Sequence, residues 1–324
     1  MFKDVTADDV VAAARRLVGI ADHTPLLPSP VLSALAGGEV LLKLECAQRT
    51  GSFKIRGAYN TLATLTPEQK HTGIVVASAG NHGLGCAWAA RELGIAAVVF
   101  VPSTAPMVKQ RGIRELGATV DASGADYDAA HELAVEQARV SKATYVSPTD
   151  GDALYAGQGT VGLEILTDRP DVRTIVVCVG GAGLLGGIGR YAKSIDPDIR
   201  IIGVQTDQTN AMAVAIKAGK LVPVPVPPTL ADGLAGQIDD ESLAVGQSVM
   251  DDIVLVTEDD LGAAIAWLHR EHGLVVEGAG AVGVAALRSG KLSGLATPVA
   301  IVVSGSNIDG DVHAQLLARF PESR

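Results

Sequence analysis

The stretch Thr174-Ile175-Val176-Val177-Cys178-Val179-Gly180-Gly181-Ala182-Gly183 joins a run of apolar, mostly β-branched residues to a glycine-rich turn. The run predicts a buried β-strand, and the apolar periodicity of residues 184–195 predicts a helix directly after the turn. Glycines let several backbone amides converge on one phosphate, and the positive end of the following helix favours its charge. The stretch therefore predicts a strand–turn–helix unit that binds a phosphate group.

Strand and helix patterns alternate along the rest of the chain. Strands are predicted at 39–45, 74–78, 97–102, 144–146, 174–179, 200–205, 253–257 and 299–304. Helices are predicted at 10–20, 31–35, 84–93, 108–116, 127–141, 184–195, 211–218, 258–272 and 281–287, and one more begins near Lys54. The proline-rich segment 23–30 is predicted to cross the surface. Such alternation is typical of parallel sheets covered by helices on both faces, which predicts an α/β fold.

Lys54 lies at another junction of this kind, between the strand pattern 39–45 and the helical pattern that follows it. Most single lysines are solvated surface charges. A partly buried amine at a strand-to-helix junction, however, can have a lowered pKa and form a Schiff base with a carbonyl compound. Lys54 is therefore the predicted reactive residue.

Two further predicted strands end in polar turns, at 78–83 and 304–307. Ligands of open α/β sheets bind beyond the carboxyl ends of the strands, so both turns are candidate binding loops. The amides at 78–82 precede a helix and suit a carboxylate. A purely structural role is an alternative for each of these residues. Asn81 could be a turn residue, His82 a helix cap and Ser304 an ordinary turn former.

The glycine-rich turn also matches the dinucleotide pattern G-x-G-x-x-G at Gly181, Gly183 and Gly186. A dinucleotide site needs an acid at the end of the next strand to bind the ribose hydroxyls. That predicted strand ends in Gln205, which argues against such a site. Asp207 lies nearby, so an NAD-dependent dehydrogenase remains an alternative.

Composition narrows the class of protein. The 324 residues carry a net charge of -10, which argues against nucleic acid and anionic membranes as partners because both attract clustered basic residues. The three cysteines share no metal-ligand spacing and favour reduced thiols in the cytoplasm. No secretory leader is recognised, and no apolar run approaches the ~18 residues that a membrane span needs. A globular cytoplasmic protein is predicted.

As a set, these residues resemble the fold-type II pyridoxal-phosphate enzymes, and within them the threonine/serine dehydratase and serine racemase branch. Residues 52–58 are similar to the lysine motif of that family, and residues 78–83 to its asparagine loop. The resemblance spans almost the whole chain. It implies a tryptophan synthase β-like fold of two three-layer domains with mainly parallel sheets: a large cofactor-binding domain from 1–65 and 150–324, and a small domain from 66–149.

The resemblance also implies roles for individual residues. Lys54 would bind pyridoxal 5'-phosphate covalently, Asn81 would donate to the phenolic oxygen of the cofactor, and Ser304 would face the pyridine nitrogen. The remaining implied cofactor contacts are Phe53 beside the ring, Gly180, Gly181, Ala182, Gly183 and Leu184 around the phosphate, and Gly233 and Glu277 nearby. The implied contacts to the substrate carboxylate are Ser78, Ala79, Gly80, Asn81 and His82. Lys54 and Ser78 are the predicted catalytic residues.

The activity that the resemblance implies is β-elimination from L-threonine, L-serine or a related 3-hydroxy amino acid, giving a 2-oxo acid and ammonia, in a cytoplasmic homodimer. One alternative is a racemase of the same family, although the racemases have a serine at the position of Ala79. A second, of a different class, is a non-catalytic protein that binds a phosphate-containing ligand. The NAD-dependent dehydrogenase is the third.

No metal site is predicted. Members of the family that bind a divalent cation supply acids at the positions of Gln205 and Ala211, which are both uncharged here. His269 and His272 lie one helical turn apart, but the sequence offers no third ligand beside them.

Overall fold

Two β-sheets organise the computed structural model, which describes residues 5–78, 80–103, 105 and 107–321. The described strands are β1 Leu26–Pro28, β2 Val40–Lys43, β3 Ile74–Ala77, β4 Ala97–Pro102, β5 Thr119–Gly124, β6 Thr144–Tyr145, β7 Thr174–Cys178, β8 Arg200–Thr206, β9 Asp252–Val256 and β10 Val299–Val302. One sheet has the order β1-β2-β10-β7-β8-β9 and the other the order β5-β4-β3-β6. Only the pairing of β1 with β2 is antiparallel among the described strands.

Helices connect these strands. They are α1 Ala7–Arg16, α2 Pro30–Ala36, α3 Lys54–Thr64, α4 Pro67–Thr72, α5 Asn81–Leu93, α6 Met107–Glu115, α7 Tyr127–Ser141, α8 Asp152–Asp168, α9 Gly183–Ile195, α10 Ala211–Ala218, α11 Asp240–Val249, α12 Glu258–His272, α13 Gly278–Arg288 and α14 Gly310–Arg319. Parallel strands joined by helices confirm the predicted α/β class. The division of the chain at residues 66–149 stays a prediction. All four strands of the second sheet, β3 to β6, lie within that range.

The structure adds elements that the sequence patterns did not indicate. Helix α8 is buried on nearly every side and contains three glycines, so it shows no apolar stripe of helical period. Strand β5 is mostly half-buried and lacks a continuous apolar run. The segment 23–30, predicted only to cross the surface, pairs through β1 with β2, where an edge position tolerates proline. None of the described helices is long and apolar enough to span a bilayer.

Helix α3, which begins at Lys54, packs between a helix of the second sheet and a helix of the first. It contacts α5, which follows β3, and α8, which packs on α9 after β7. The side chain of Arg56, 1% exposed, anchors α3 from inside the protein. Its guanidinium donates to both carboxylate oxygens of Glu45 and of Glu164, and Lys43 donates to Glu164 as well. Two cations and two carboxylates are thus buried together behind Lys54.

Close packing of α8 on α9 generates a stability prediction. A Cβ at Gly187 of α9 would lie 2.5 Å from the carbonyl oxygen of Tyr155 and 2.6 Å from the amide nitrogen of Gly159, and neither backbone atom can move alone. Gly187→Ala should therefore lower the free energy of unfolding by about 2 kcal/mol. Urea unfolding measures this change.

Gly162→Ala in α8 is the matched control. A Cβ there meets atoms of Ile188 at 3.4 Å, an ordinary contact, and alanine favours the helix by up to about 1 kcal/mol. Equal stabilities of the two variants would contradict the packing described for Gly187.

Candidate active site

Lys54 is the first residue of α3, and its amine points to the segment that follows β6. The Nζ atom donates to the carbonyl oxygen of Pro148 at 2.8 Å and lies 5.3 Å from the centre of the Phe53 ring. Burial lowers the pKa of the amine to about 8, because charge is disfavoured away from water. The neutral, nucleophilic form of Lys54 is therefore accessible near neutral pH.

The turn after β10 holds the residues that precede Lys54. The amide of Phe53 donates to the carbonyl of Ser304 at 3.2 Å, and Ser52 forms an antiparallel bridge with Gly305. Strand β10 lies between β2 and β7 in the sheet, so this turn is central. The structure thus places Ser304, which is 1% exposed, beside the junction that carries Lys54.

Asn81 begins α5 and connects three loops through its amide. Its Nδ2 donates to Glu277 Oε1 at 2.6 Å, and its Oδ1 accepts from Asn307 Nδ2 at 2.6 Å. The same Asn307 nitrogen donates to the carbonyl of Thr50 at 2.9 Å. Sequence reasoning assigned no role to Asn307; its place in the polar turn after β10 was the available signal.

The rest of the predicted asparagine loop is only partly described. Ala79 lies outside the described residues. The amide of Gly80 donates to Ser78 Oγ at 3.2 Å, so Ser78 faces its own loop. His82 is buried at 2% exposure and pairs with the carbonyl of Val146 at 3.2 Å. Burial and the nearby Lys54 lower its pKa to about 3, so the imidazole is neutral.

Glu277 lies beside the asparagine loop, where it accepts the bond from Asn81, and is 4% exposed. Burial, together with the charge of Asp232, raises the pKa of its carboxyl to about 7, although the Asn81 amide opposes that rise. Asp232 and Gly233 form a short 3₁₀ turn with Leu234 against α13, and a Cβ at Gly233 would lie 3.2 Å from that of Ala279. Lys109 of α6 pairs with Asp232 at 2.9 Å.

The glycine-rich turn follows β7, as predicted, and leads into α9. In the part of the chain that the structure describes, the amides of Gly180, Gly181 and Ala182 have no hydrogen-bond acceptor. The turn's carbonyls, in contrast, are engaged: Ser242 Oγ donates to that of Gly181 at 3.1 Å, and the Gly186 amide to that of Ala182 at 2.7 Å. Free donors at a helix start form an anion-binding site.

Ala182 adopts φ 63° and ψ 2°, the left-handed region that favours glycine. This conformation costs a non-glycine residue roughly 1–2 kcal/mol. The turn therefore keeps its shape despite the alanine, because the surrounding bonds hold it.

A short segment after β6 links the amine to this turn. Pro148 accepts the bond from Lys54, and the next residue, Thr149, packs so closely on Gly181 that a Cβ there would collide with the threonine side chain. Neither Pro148 nor Thr149 was singled out from the sequence. The polar turn after the predicted strand 144–146 was the signal that could have indicated them.

The Gln205 side chain at the end of β8 is not available to a dinucleotide. Gln205 is 1% exposed, and its amide is engaged by the carbonyl of Val179 and the amide of Ala213, each at 3.0 Å. The described residues contain no group of three or more His, Cys, Asp or Glu side chains that could bind a metal ion.

The raised pKa of Glu277 generates a pH-dependent stability prediction. The folded chain binds this proton more tightly than the unfolded chain, so burying the carboxylate costs stability as the pH rises from about 4.5 to about 7. Glu277→Gln has no such cost. Its free energy of unfolding relative to the parent should rise over this interval by about 3 kcal/mol, at 1.36 kcal/mol per pKa unit.

Urea unfolding of the cofactor-free chain at several pH values measures the difference. Glu132→Gln, which changes an exposed carboxylate on α7, is the control and should show no comparable trend. A pH-independent difference for Glu277→Gln would mean that the carboxyl of Glu277 has the same pKa in the folded and the unfolded chain, contrary to this prediction.

Comparison with known proteins identifies the family. Residues 19–305 match the family model described as "Pyridoxal-phosphate dependent enzyme". L-threonine ammonia-lyase of Thermotoga maritima is 44% identical over 94% of this chain and 76% of its own length. Maize serine racemase has a TM-score of 0.92 at 31% identity, covering 98% of both chains. Processed threonine deaminase isoform 2 of Solanum lycopersicum has a TM-score of 0.90 at 32% identity, covering 96% of this chain and 86% of that one. The chain therefore belongs to the family of pyridoxal-phosphate-dependent enzymes, as its sequence predicted.

Proposed function

We propose that this chain is an ammonia-lyase that converts L-threonine, L-serine or a related 3-hydroxy amino acid to a 2-oxo acid and ammonia. The observation that carries the proposal is the two-residue segment Pro148 and Thr149, which contacts the Lys54 amine on one side and the glycine turn at Gly181 on the other. One short segment therefore joins a reactive amine to an anion-binding turn. The Thermotoga relative is an L-threonine ammonia-lyase, which supports this reaction.

The residues present fit pyridoxal phosphate. Three amides, those of Gly180, Gly181 and Ala182, have no acceptor among the described residues and suit a phosphate dianion. The Lys54 amine suits the aldehyde, because its lowered pKa leaves a neutral fraction near pH 7. When bound, the cofactor supplies an electron sink for the negative charge that develops at the substrate α-carbon.

Lys54 has two tasks in the proposed reaction. It would hold the cofactor covalently before substrate binds, and its neutral amine would then accept the α-proton of the substrate. A base with a pKa of about 8 is matched to this task near neutral pH. Phe53, beside the amine, provides one apolar wall and keeps water from the reacting atoms.

The positions of the loops support the other proposed contacts. Asn81 is held by Glu277 and Asn307, so its amide is oriented before the ligand binds. Ser304 would place a neutral hydroxyl at the pyridine nitrogen, which would leave that nitrogen largely unprotonated. Ser78 and the amides of its loop would bind the substrate carboxylate. The β-hydroxyl group would then take up a proton from the phosphate side of the site and leave as water. Hydrolysis of the resulting enamine, through its imine form, gives the 2-oxo acid and ammonia.

Lys54→Ala tests the proposal directly. The variant should fold but lose the visible absorbance band of lysine-bound cofactor, and 2-oxo acid formation from L-threonine or L-serine should fall at least about 10³-fold. Absorbance spectra and a 2-oxo acid assay across a panel of hydroxy amino acids measure both effects and define the substrate. Lys70→Ala is the matched control, because Lys70 Nζ also donates to a backbone carbonyl, that of Ala63, at 2.8 Å.

The same assay separates the classes of function. Elimination at the parent rate in Lys54→Ala would remove Lys54 from the mechanism. Cofactor binding without any 2-oxo acid from the parent chain would favour the non-catalytic binding protein. Membership of the pyridoxal-phosphate family argues against the dehydrogenase alternative.

Racemisation is the second candidate reaction, because maize serine racemase is among the similar structures. It needs proton donors on both faces of the substrate, and a methyl group at Ala79 cannot exchange a proton. Since Ala79 lies outside the described residues, this prediction rests on the sequence. The parent chain should form little D-serine from L-serine, and Ala79→Ser should raise that rate relative to pyruvate. Chiral chromatography measures the ratio, and comparable D-serine and pyruvate from the parent chain would contradict it.

We also propose an amino acid as the small-molecule partner, a homodimeric assembly and a cytoplasmic location. The three cysteines, Cys46, Cys86 and Cys178, are free and buried, which fits a reducing compartment.

A further inference from the structure

The side chain of Gln205 bridges two elements that border the glycine turn. It lies at the end of β8 and is 1% exposed. Its Nε2 donates to the carbonyl of Val179, and its Oε1 accepts from the amide of Ala213, each at 3.0 Å. Ala213 is in the first turn of α10, where amides have no partner within the helix. One side chain therefore satisfies a buried carbonyl and a helix-end amide together.

The bond to Val179 has a directional consequence for the next residue. The Val179 carbonyl and the Gly180 amide belong to one planar trans peptide, in which the oxygen and the hydrogen point in opposite directions. A donor that holds this carbonyl toward β8 therefore turns the Gly180 amide away from β8. That amide has no acceptor among the described residues. Gly180 is also the first residue of the proposed phosphate turn.

We propose that Gln205 is a positioning residue for the cofactor phosphate: its side-chain amide holds the Val179 peptide so that the Gly180 amide donates to the phosphate. This inference rests on the proposed cofactor site. Ser242 holds the carbonyl of Gly181 in the same manner, which turns the Ala182 amide away from Ser242. Gln205 and Ser242 thus bind the carbonyl oxygens of the Val179–Gly180 and Gly181–Ala182 peptides, opposite the free amides of the turn.

The arrangement requires a neutral side chain that both donates and accepts. A primary amide has both functions, whereas a carboxylate only accepts. At this position a carboxylate would still accept from Ala213 but would set one oxygen against the Val179 carbonyl. The peptide would then be repelled rather than held, unless a proton on the carboxyl restored the donor.

Gln205→Glu tests the proposal in the full-length protein after removal of the cofactor. Dissociation constants for pyridoxal 5'-phosphate and for pyridoxal, which lacks the phosphate, are measured by absorbance titration. At about pH 8, binding of the phosphorylated ligand should weaken about tenfold, equivalent to about 1.4 kcal/mol, while binding of pyridoxal stays within about twofold. The defect should shrink at lower pH as the introduced carboxyl gains a proton.

Gln237→Glu is the matched control. Gln237 also donates through Nε2 to a backbone carbonyl and accepts through Oε1 from a backbone amide, both of Val224. These two bonds lie on an exposed loop. Gln237→Glu should change neither dissociation constant. Gln205→Met, similar in length and without a donor, keeps the test open if the carboxyl prevents folding. It should reduce the preference for the phosphorylated ligand without a pH dependence.

Each other outcome overturns a defined statement. Equal weakening for both ligands in the Gln205 variants would make Gln205 a general structural residue. Unchanged binding of both ligands would mean that Gln205 does not orient the Gly180 amide. If the parent chain itself bound both ligands equally, the phosphate turn of the proposed function would fail, independently of Gln205.

Discussion

The buried ion-pair cluster of Arg56, Glu45, Glu164 and Lys43 is the constraint on which the active site depends. Arg56 lies two residues after Lys54 on α3, so whatever fixes Arg56 also fixes the start of that helix. Buried charges are stable only when they are paired in good geometry, and this cluster balances two cations with two carboxylates. Displacing α3 would leave charges unpaired, which makes the position of Lys54 costly to change.

Around Lys54 the protein uses mainly neutral polar groups. Asn81 and Asn307 bind each other and the surrounding loops, and burial keeps His82 neutral and Glu277 close to half-ionised at neutral pH. Neutral amides orient a ligand without competing for its charge. The free donors of the glycine turn and the Lys54 amine are therefore left to meet the negative charges of the cofactor and the substrate.

Sheet topology explains why distant loops meet at one place. Strand β10 inserts between β2 and β7, so the turns after β10 and β7 lie side by side with the segment that carries Lys54. The second sheet contributes the asparagine loop after β3 and the Pro148 segment after β6, two strands that pair in parallel. Because parallel strands end at the same edge, loops far apart in sequence converge around Lys54.

The sequence by itself determined those features that depend only on residues close together along the chain. Apolar runs and helical periods located most strands and helices, glycines marked the turn after β7, and the motif at 52–58 pointed to Lys54. These features could be predicted because their physical cause is local: backbone freedom, side-chain periodicity and the chemistry of one amine. The family, its cofactor and the α/β class followed from the same residues.

Only the tertiary structure decided which partners those residues have. Helix α8 escaped sequence reasoning because it is buried all round and shows no period. The bonds of Asn307 to Asn81, of Gln205 to Val179 and of Lys54 to Pro148 join residues brought together by strand order, and no spacing along the chain encodes them. Their contribution arises from exclusion of water at the point of contact, which exists only once both sheets and α3 have packed.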